Sequence, residues 1–112
     1  MEKTDHKNFI LSLPEVTEYP HFNKQAFKVA KKIFVTFDPA KDEWHFKLSQ
    51  SDQFAFCKAH NEAIYPVNNK WDKQGWTIVH AHLIPKRFFE EITKTSYYTV
   101  APKKLAALIT LR

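Results

Sequence analysis

Residues 25–37, Gln25-Ala26-Phe27-Lys28-Val29-Ala30-Lys31-Lys32-Ile33-Phe34-Val35-Thr36-Phe37, carry the local pattern from which the rest of the chain can be read. Phe27 and Val29 share one parity while Lys28 and Ala30 take the other, a period of two that fits a strand with one buried face. After Lys31-Lys32, the run from Ile33 to Phe37 is rich in β-branched and aromatic residues. Asp38-Pro39-Ala40-Lys41-Asp42 is a turn cluster. Glu43 to Leu48 then alternates again, with Trp44, Phe46 and Leu48 on one side and His45 and Lys47 on the other. Connections this short cannot carry parallel crossovers, so the spacing predicts a three-stranded antiparallel meander.

Toward the N-terminus, Phe9, Ile10 and Leu13 fall at helical spacing behind a capping Asp5, which predicts a helix over 5–13. Pro14 ends it, because the residue before a proline is pushed out of the helical region. Glu15 to Phe22 is too punctuated for either period and reads as an ordered loop over one end of the core. Toward the C-terminus, Ser49-Gln50-Ser51-Asp52 opens a helix that runs to about His60. Ala63 to Val67 forms a short strand, placed at an edge or bulge by Pro66.

Trp71-Asp72-Lys73-Gln74-Gly75-Trp76-Thr77-Ile78-Val79 follows, with two of the three tryptophans and the only glycine. A glycine used once marks either a left-handed turn residue or a close backbone approach. Trp76, Ile78 and His80 alternate with Thr77, Val79 and Ala81, so Trp76 reads as core and Trp71 as either core or exposed. Pro85 opens the next helix, with Phe88, Phe89, Ile92, Ser96 and Val100 along one broad face. Pro102 precedes a terminal basic and apolar helix. The order α-β-β-β-α-β-(β)-α predicts an α+β fold, one antiparallel sheet with helices packed on one side.

At 112 residues the chain is expected to be a single domain, spanning 1–112, that buries roughly two-thirds of its unfolded surface. Hydrophobic content of 44% supplies a core without disulfide or metal, and the single Cys57 excludes an internal disulfide and fits a reducing compartment. No apolar run reaches membrane-spanning length and no leader is visible, so the expectation is a cytoplasmic protein with no membrane partner. The net charge is +5, and the whole excess lies in residues 57–112, which hold nine Lys or Arg against four acids. Such asymmetry is compatible with a nucleic-acid or acidic-protein partner, or with surplus lysine for solubility alone.

Several separated motifs resemble one known family. Leu13-Pro14-Glu15-Val16-Thr17-Glu18-Tyr19-Pro20-His21-Phe22, Ala26-Phe27-Lys28-Val29 and Lys31-Lys32-Ile33-Phe34 look like the opening signature of the MmcQ/YjbR family. Gln74-Gly75-Trp76-Thr77, Ser96-Tyr97-Tyr98 and Val100-Ala101-Pro102-Lys103-Lys104-Leu105 resemble its later signatures, in the same order. The resemblance implies a fold similar to CyaY-type and secretion-chaperone-like domains. It also implies the family's proposed role, DNA binding through paired wing-like elements, with no catalytic residues and no cofactor to carry over. The chain departs from the pattern where Asn23 and Ala30 stand at frequent glycine positions and Gln25 replaces a common proline. Asn23 is expected to keep a left-handed turn, and Ala30 to loosen the first hairpin.

From the residues, Lys24, Lys28, Lys31 and Lys32 form a basic hairpin whose ammoniums could meet successive phosphates, against the plainer reading of a solvated edge strand. Lys70, Trp71 and Lys73 form a second basic turn, with an aromatic able to stack on an unpaired base, against the reading of a pinned core corner. Both tips serve one polyanion only if the sheet brings them side by side with no acids between. Glu18, Tyr19 and His21, with Trp76, are a possible ligand pocket, against a structural reading in which the loop carbonyls use Tyr19 and His21. His80 and His82 lie on one face if the strand persists, but no third metal ligand follows from spacing, so no metal is expected. The expected function is non-enzymatic DNA binding; a protein-interaction or chaperone-like module, predicting an exposed apolar patch, is the alternative.

Overall fold

A computed structural model describes residues 3–67 and 74–109. The predicted meander is β2 (Lys24–Val29), β3 (Lys32–Asp38) and β4 (Glu43–Lys47). The segment read as a loop is instead β1 (Thr17–His21), which pairs antiparallel with β2 from Thr17↔Lys28 to His21↔Lys24. Pro20 interrupts its pattern but is tolerated because β1 is the outer strand of the sheet. On the far side, β6 (Trp76–Val79) pairs with β4, and β5 (Ile64–Pro66) closes the opposite edge, where its proline costs no central ladder bond. The six strands run β1-β2-β3-β4-β6-β5, with every neighbouring pair antiparallel.

The α-helices are α1 (Lys3–Leu11), α2 (Gln50–Ala59), α3 (Lys86–Val100) and the short α4 (Lys103–Ala106), with a 3-10 turn at Ala81–Leu83 leading into α3. The α3 helix lies on β3 and β4 and buries Phe89, Ile92 and Tyr97 against Phe34, Trp44 and Phe46. The buried His6 of α1 joins this aromatic cluster, its ring centroid 4.1 Å from that of Phe89. The Tyr97 hydroxyl donates to the Pro14 carbonyl at 2.7 Å, tying α3 to the chain that leaves α1.

A bulge sets where these helices bind. Phe27 pairs with Val35 and the next residue, Lys28, pairs with Ile33, so the β2–β3 ladder skips Phe34. Phe34 and Val35 are therefore both buried, and the Ser96 hydroxyl of α3 lies 3.0 Å from the Phe34 carbonyl oxygen and 2.6 Å from that of Lys47.

The hairpin turns depart from the sequence expectation. Ala30 and Lys31 take φ of +52° and +69°, the two positive values of a tight hairpin turn, and Val29 pairs directly with Lys32. Strand pairing thus overrides the cost of an alanine in the left-handed region, and the hairpin is not loosened. In the β1–β2 turn Phe22, not Asn23, has positive φ, at +58°.

Trp76 is a further correction. It is half-buried and stands opposite Lys47, whereas the buried side chains of β6 are Thr77 and Val79. Gly75 explains the parity. Its φ is +89°, and a Cβ there would lie 1.7 Å from the Leu48 carbonyl oxygen, while its own carbonyl accepts the Leu48 N–H at 2.9 Å. This close approach locks Trp76 onto the side of the sheet opposite the core. The Gln53 side-chain amide of α2 holds the strand in place, donating to the Trp76 carbonyl at 3.1 Å and to the Thr77 hydroxyl at 3.0 Å.

Candidate nucleic-acid interface

Strand alternation that buries Phe27, Trp44 and Phe46 beneath α3 sends the intervening residues to the opposite face, where no described helix packs. Register then assembles that face. Thr36 stands between Ala26 and His45, His45 between Thr36 and Ile78, and Lys47 opposite Trp76. Tyr19, His21, Lys24 and Lys28 extend it across β1 and β2.

Two lysines of this face lie over aromatic rings. The Lys28 ammonium is 4.5 Å from the Tyr19 ring centroid and the Lys47 ammonium 5.8 Å from that of Trp76. Ring quadrupoles steady such cations without neutralising them, so their charge stays available to an anion. Lys32, Lys47, Ile33 and Trp76 also border a cleft at the β2–β3 turn, closed by Thr99 and Val100 of α3. Val67 and Gln74, where the chain leaves β5 and approaches β6, belong to this same end of the sheet, since Val67 N–H bonds the Trp76 carbonyl. Between the β2–β3 turn and that point, the strand ends contribute Lys32, Ile33, Lys47 and Trp76 and no acid.

The acids of the uncovered face collect at its other end. Asp38 accepts the Ala40 N–H at 3.0 Å, and Glu43 lies 3.3 Å from His45 Nε2. A carboxylate can only accept, so Nε2 carries the imidazole proton and Nδ1 accepts from the Thr36 hydroxyl at 3.3 Å. Burial pushes the His45 pKa below its ordinary value, against a smaller opposing pull from Glu43. The imidazole is therefore neutral near pH 7.

Between these two ends is a hollow of about 430 Å³ lined by His21, Lys24, Ile33, Thr36, His45, Val67 and Trp76. It unites His21 and Trp76 of the expected pocket. Tyr19 stands beside it, 6.2 Å from His21 between ring centroids, but Glu18 faces the other way and pairs with Lys7 at 2.9 Å. Lys24 borders the hollow, four residues and about 13 Å along the strand from Lys28, whereas Lys31 and Lys32 stand at the turn. Lys70, Trp71 and Lys73 lie outside the described residues. Sequence alone does not single out Thr36, His45 and Lys47 as site residues, although the alternation that puts His45 and Lys47 opposite Trp44 is the signal for them.

Elsewhere, His80 and His82 have ring centroids 5.9 Å apart, but β6 ends at Val79 and His80 is engaged by the Tyr65 hydroxyl. Among the described residues no three His, Cys, Asp or Glu side chains could hold a metal ion together. Burial raises the Cys57 pKa, the opposite of what an activated thiol needs. No described helix is long and apolar enough to cross a membrane.

The YjbR family model matches residues 11–99, from the end of α1 to near the end of α3. The chain belongs to the YjbR family. The fold of this YjbR domain is also that of a solved structure, Deinococcus radiodurans protein DR2400, which carries the DUF419 domain. That protein is 21% identical, with a TM-score of 0.73 over 86% of this chain and 75% of the other. No curated protein matches the chain.

Proposed function

We propose that this YjbR chain binds DNA, using the end of the sheet that carries the β2–β3 turn. The observation that supports the reading is the cationic end of the sheet: Lys28 and Lys47 of the uncovered face stand at the turn end with Lys31 and Lys32 of the turn, whereas the acids Asp38 and Glu43 are engaged at the other end, where Lys24 also stands. Ammonium groups spaced along a rigid sheet edge suit the repeated charge of a phosphate backbone and release its counterions on contact. Lys24 is a separate cation across the hollow, at the end of the sheet that holds Asp38, and Lys70, Trp71 and Lys73 are further contacts of the same proposal. The reading needs no bond-making chemistry and assigns no catalytic group.

The test is fluorescence anisotropy on labelled DNA at a series of salt concentrations. Affinity is expected to fall linearly on a log–log plot, and each of Lys28→Gln, Lys32→Gln and Lys47→Gln is expected to reduce the slope by about 0.7–0.9 for each phosphate that is no longer neutralised. Absence of binding at low salt, or binding indifferent to salt, would overturn the proposal.

A further inference from the structure

The hollow on the uncovered face differs from the cationic end beside it, and that difference specifies a ligand more narrowly than charge does. Its floor is uncharged. Thr36 and the neutral His45 present polar atoms already oriented by each other and by Glu43, while Ile33 and Val67 supply apolar surface. One wall is the Trp76 indole, a flat surface whose backbone is fixed by pairing with Lys47 and by the Gln53 amide. Among the described residues its cations stand at the rim, Lys24 on the β2 side and Lys47 near the indole. A volume of about 430 Å³ lies within the range of small-ligand cavities.

An apolar and polar floor beneath a cationic rim matches a neutral aromatic ring joined to phosphates on either side. Base pairs in an intact duplex keep their ring faces stacked and cannot enter such a hollow, whereas an unpaired base can. We infer that the hollow between Trp76, His45 and Lys24 takes one unpaired base of a single DNA strand, stacked on the indole, while the rim lysines hold the flanking phosphates. Thr36 and His21 are within the same lining to meet the edge of the base. This assignment rests on the DNA-binding reading and makes it specific for single strands.

The experiment compares a labelled oligothymidylate strand with a labelled duplex of equal length at one low salt concentration, again by anisotropy. The single strand is expected to bind more tightly. Trp76→Ala is expected to weaken its binding roughly tenfold, as removing one base–aromatic stack does, with Trp76→Phe retaining most of the affinity and duplex binding falling by less than single-strand binding, since every lysine is kept. Thr36→Tyr fills the hollow without removing the indole and is expected to weaken single-strand binding likewise, which decides the matter should Trp76→Ala fail to fold by circular dichroism. Duplex bound as tightly as single strand, or single-strand affinity indifferent to the hollow variants, would overturn the inference and leave general DNA binding standing. If neither DNA binds, both proposals fall.

Discussion

Gly75 is the residue on which the parity of β6 turns. Its positive φ and its contact with the Leu48 carbonyl are two separate reasons why no side chain fits, and the second is the more severe, because the obstruction is backbone that cannot rotate away. Gly75→Ala is expected to lower unfolding stability by about 3 kcal/mol or more, combining left-handed strain with a forced opening of the β4–β6 corner. Urea denaturation would measure the loss, and a change under about 1 kcal/mol would show that the corner yields more easily than its geometry indicates. Ala30 shows the opposite balance. Its left-handed φ is a strain of order 1–2 kcal/mol that the hairpin pairing outweighs, at an exposed position.

Among the elements, α3 is the strut that packs on β3 and β4 and covers one face of the sheet. Ser96 bolts it to two strands at once, offering one hydroxyl to the carbonyls of Phe34 in the bulge and of Lys47 at the end of β4. The bond to Phe34 is buried and that to Lys47 partly so, and a methyl group in place of the hydroxyl leaves the Phe34 acceptor poorly satisfied. Ser96→Ala is expected to cost about 1–3 kcal/mol in denaturant unfolding. Because Lys47 carries one of the proposed phosphate contacts, the same variant is also expected to weaken DNA binding modestly while leaving the salt slope intact. An unchanged urea midpoint would remove Ser96 from this role.

At the scale of the whole molecule, two imidazoles in different layers make stability depend on pH in the same direction. His6 lies against Phe89 and Trp44 in the core and His45 on the uncovered face, and burial is the largest cause lowering each pKa below 6.5. Nearby carboxylates, Asp5 and Asp42 for His6 and Glu43 and Asp38 for His45, oppose the effect, and Lys24 adds to it at His45. The unfolded chain takes up these protons near pH 6.5 and the folded chain only at lower pH. Folding stability attributable to them is therefore complete above about pH 6.5 and declines as pH falls toward the folded values. Thermal melts at about pH 7.5 and pH 5 are expected to show a lower Tm at the acidic value. The decline is expected to be shallower in the His6→Gln, His45→Gln double variant; an equal decline would mean that carboxylates govern it.

The class of fold is written in the local sequence because binary alternation and short turns leave the chain from 25 to 48 few options other than an antiparallel meander. The helix over Gln50–Ala59, the edge position of the Pro66 strand and the special nature of Gly75 are equally local, resting on a serine cap, a missing N–H donor and a missing Cβ. What only the tertiary structure decided was sidedness. Thr17–His21 becomes a strand because β2 offers it a partner, although its own pattern is broken by Pro20. Trp76 turns away from the core because Gly75 meets Leu48, a contact between residues 27 apart in sequence. The hollow of Lys24, Thr36, His45 and Trp76 exists for the same reason: its members come from four strands, and hydrogen-bond register between distant segments, not periodicity within any one of them, brings them to one face.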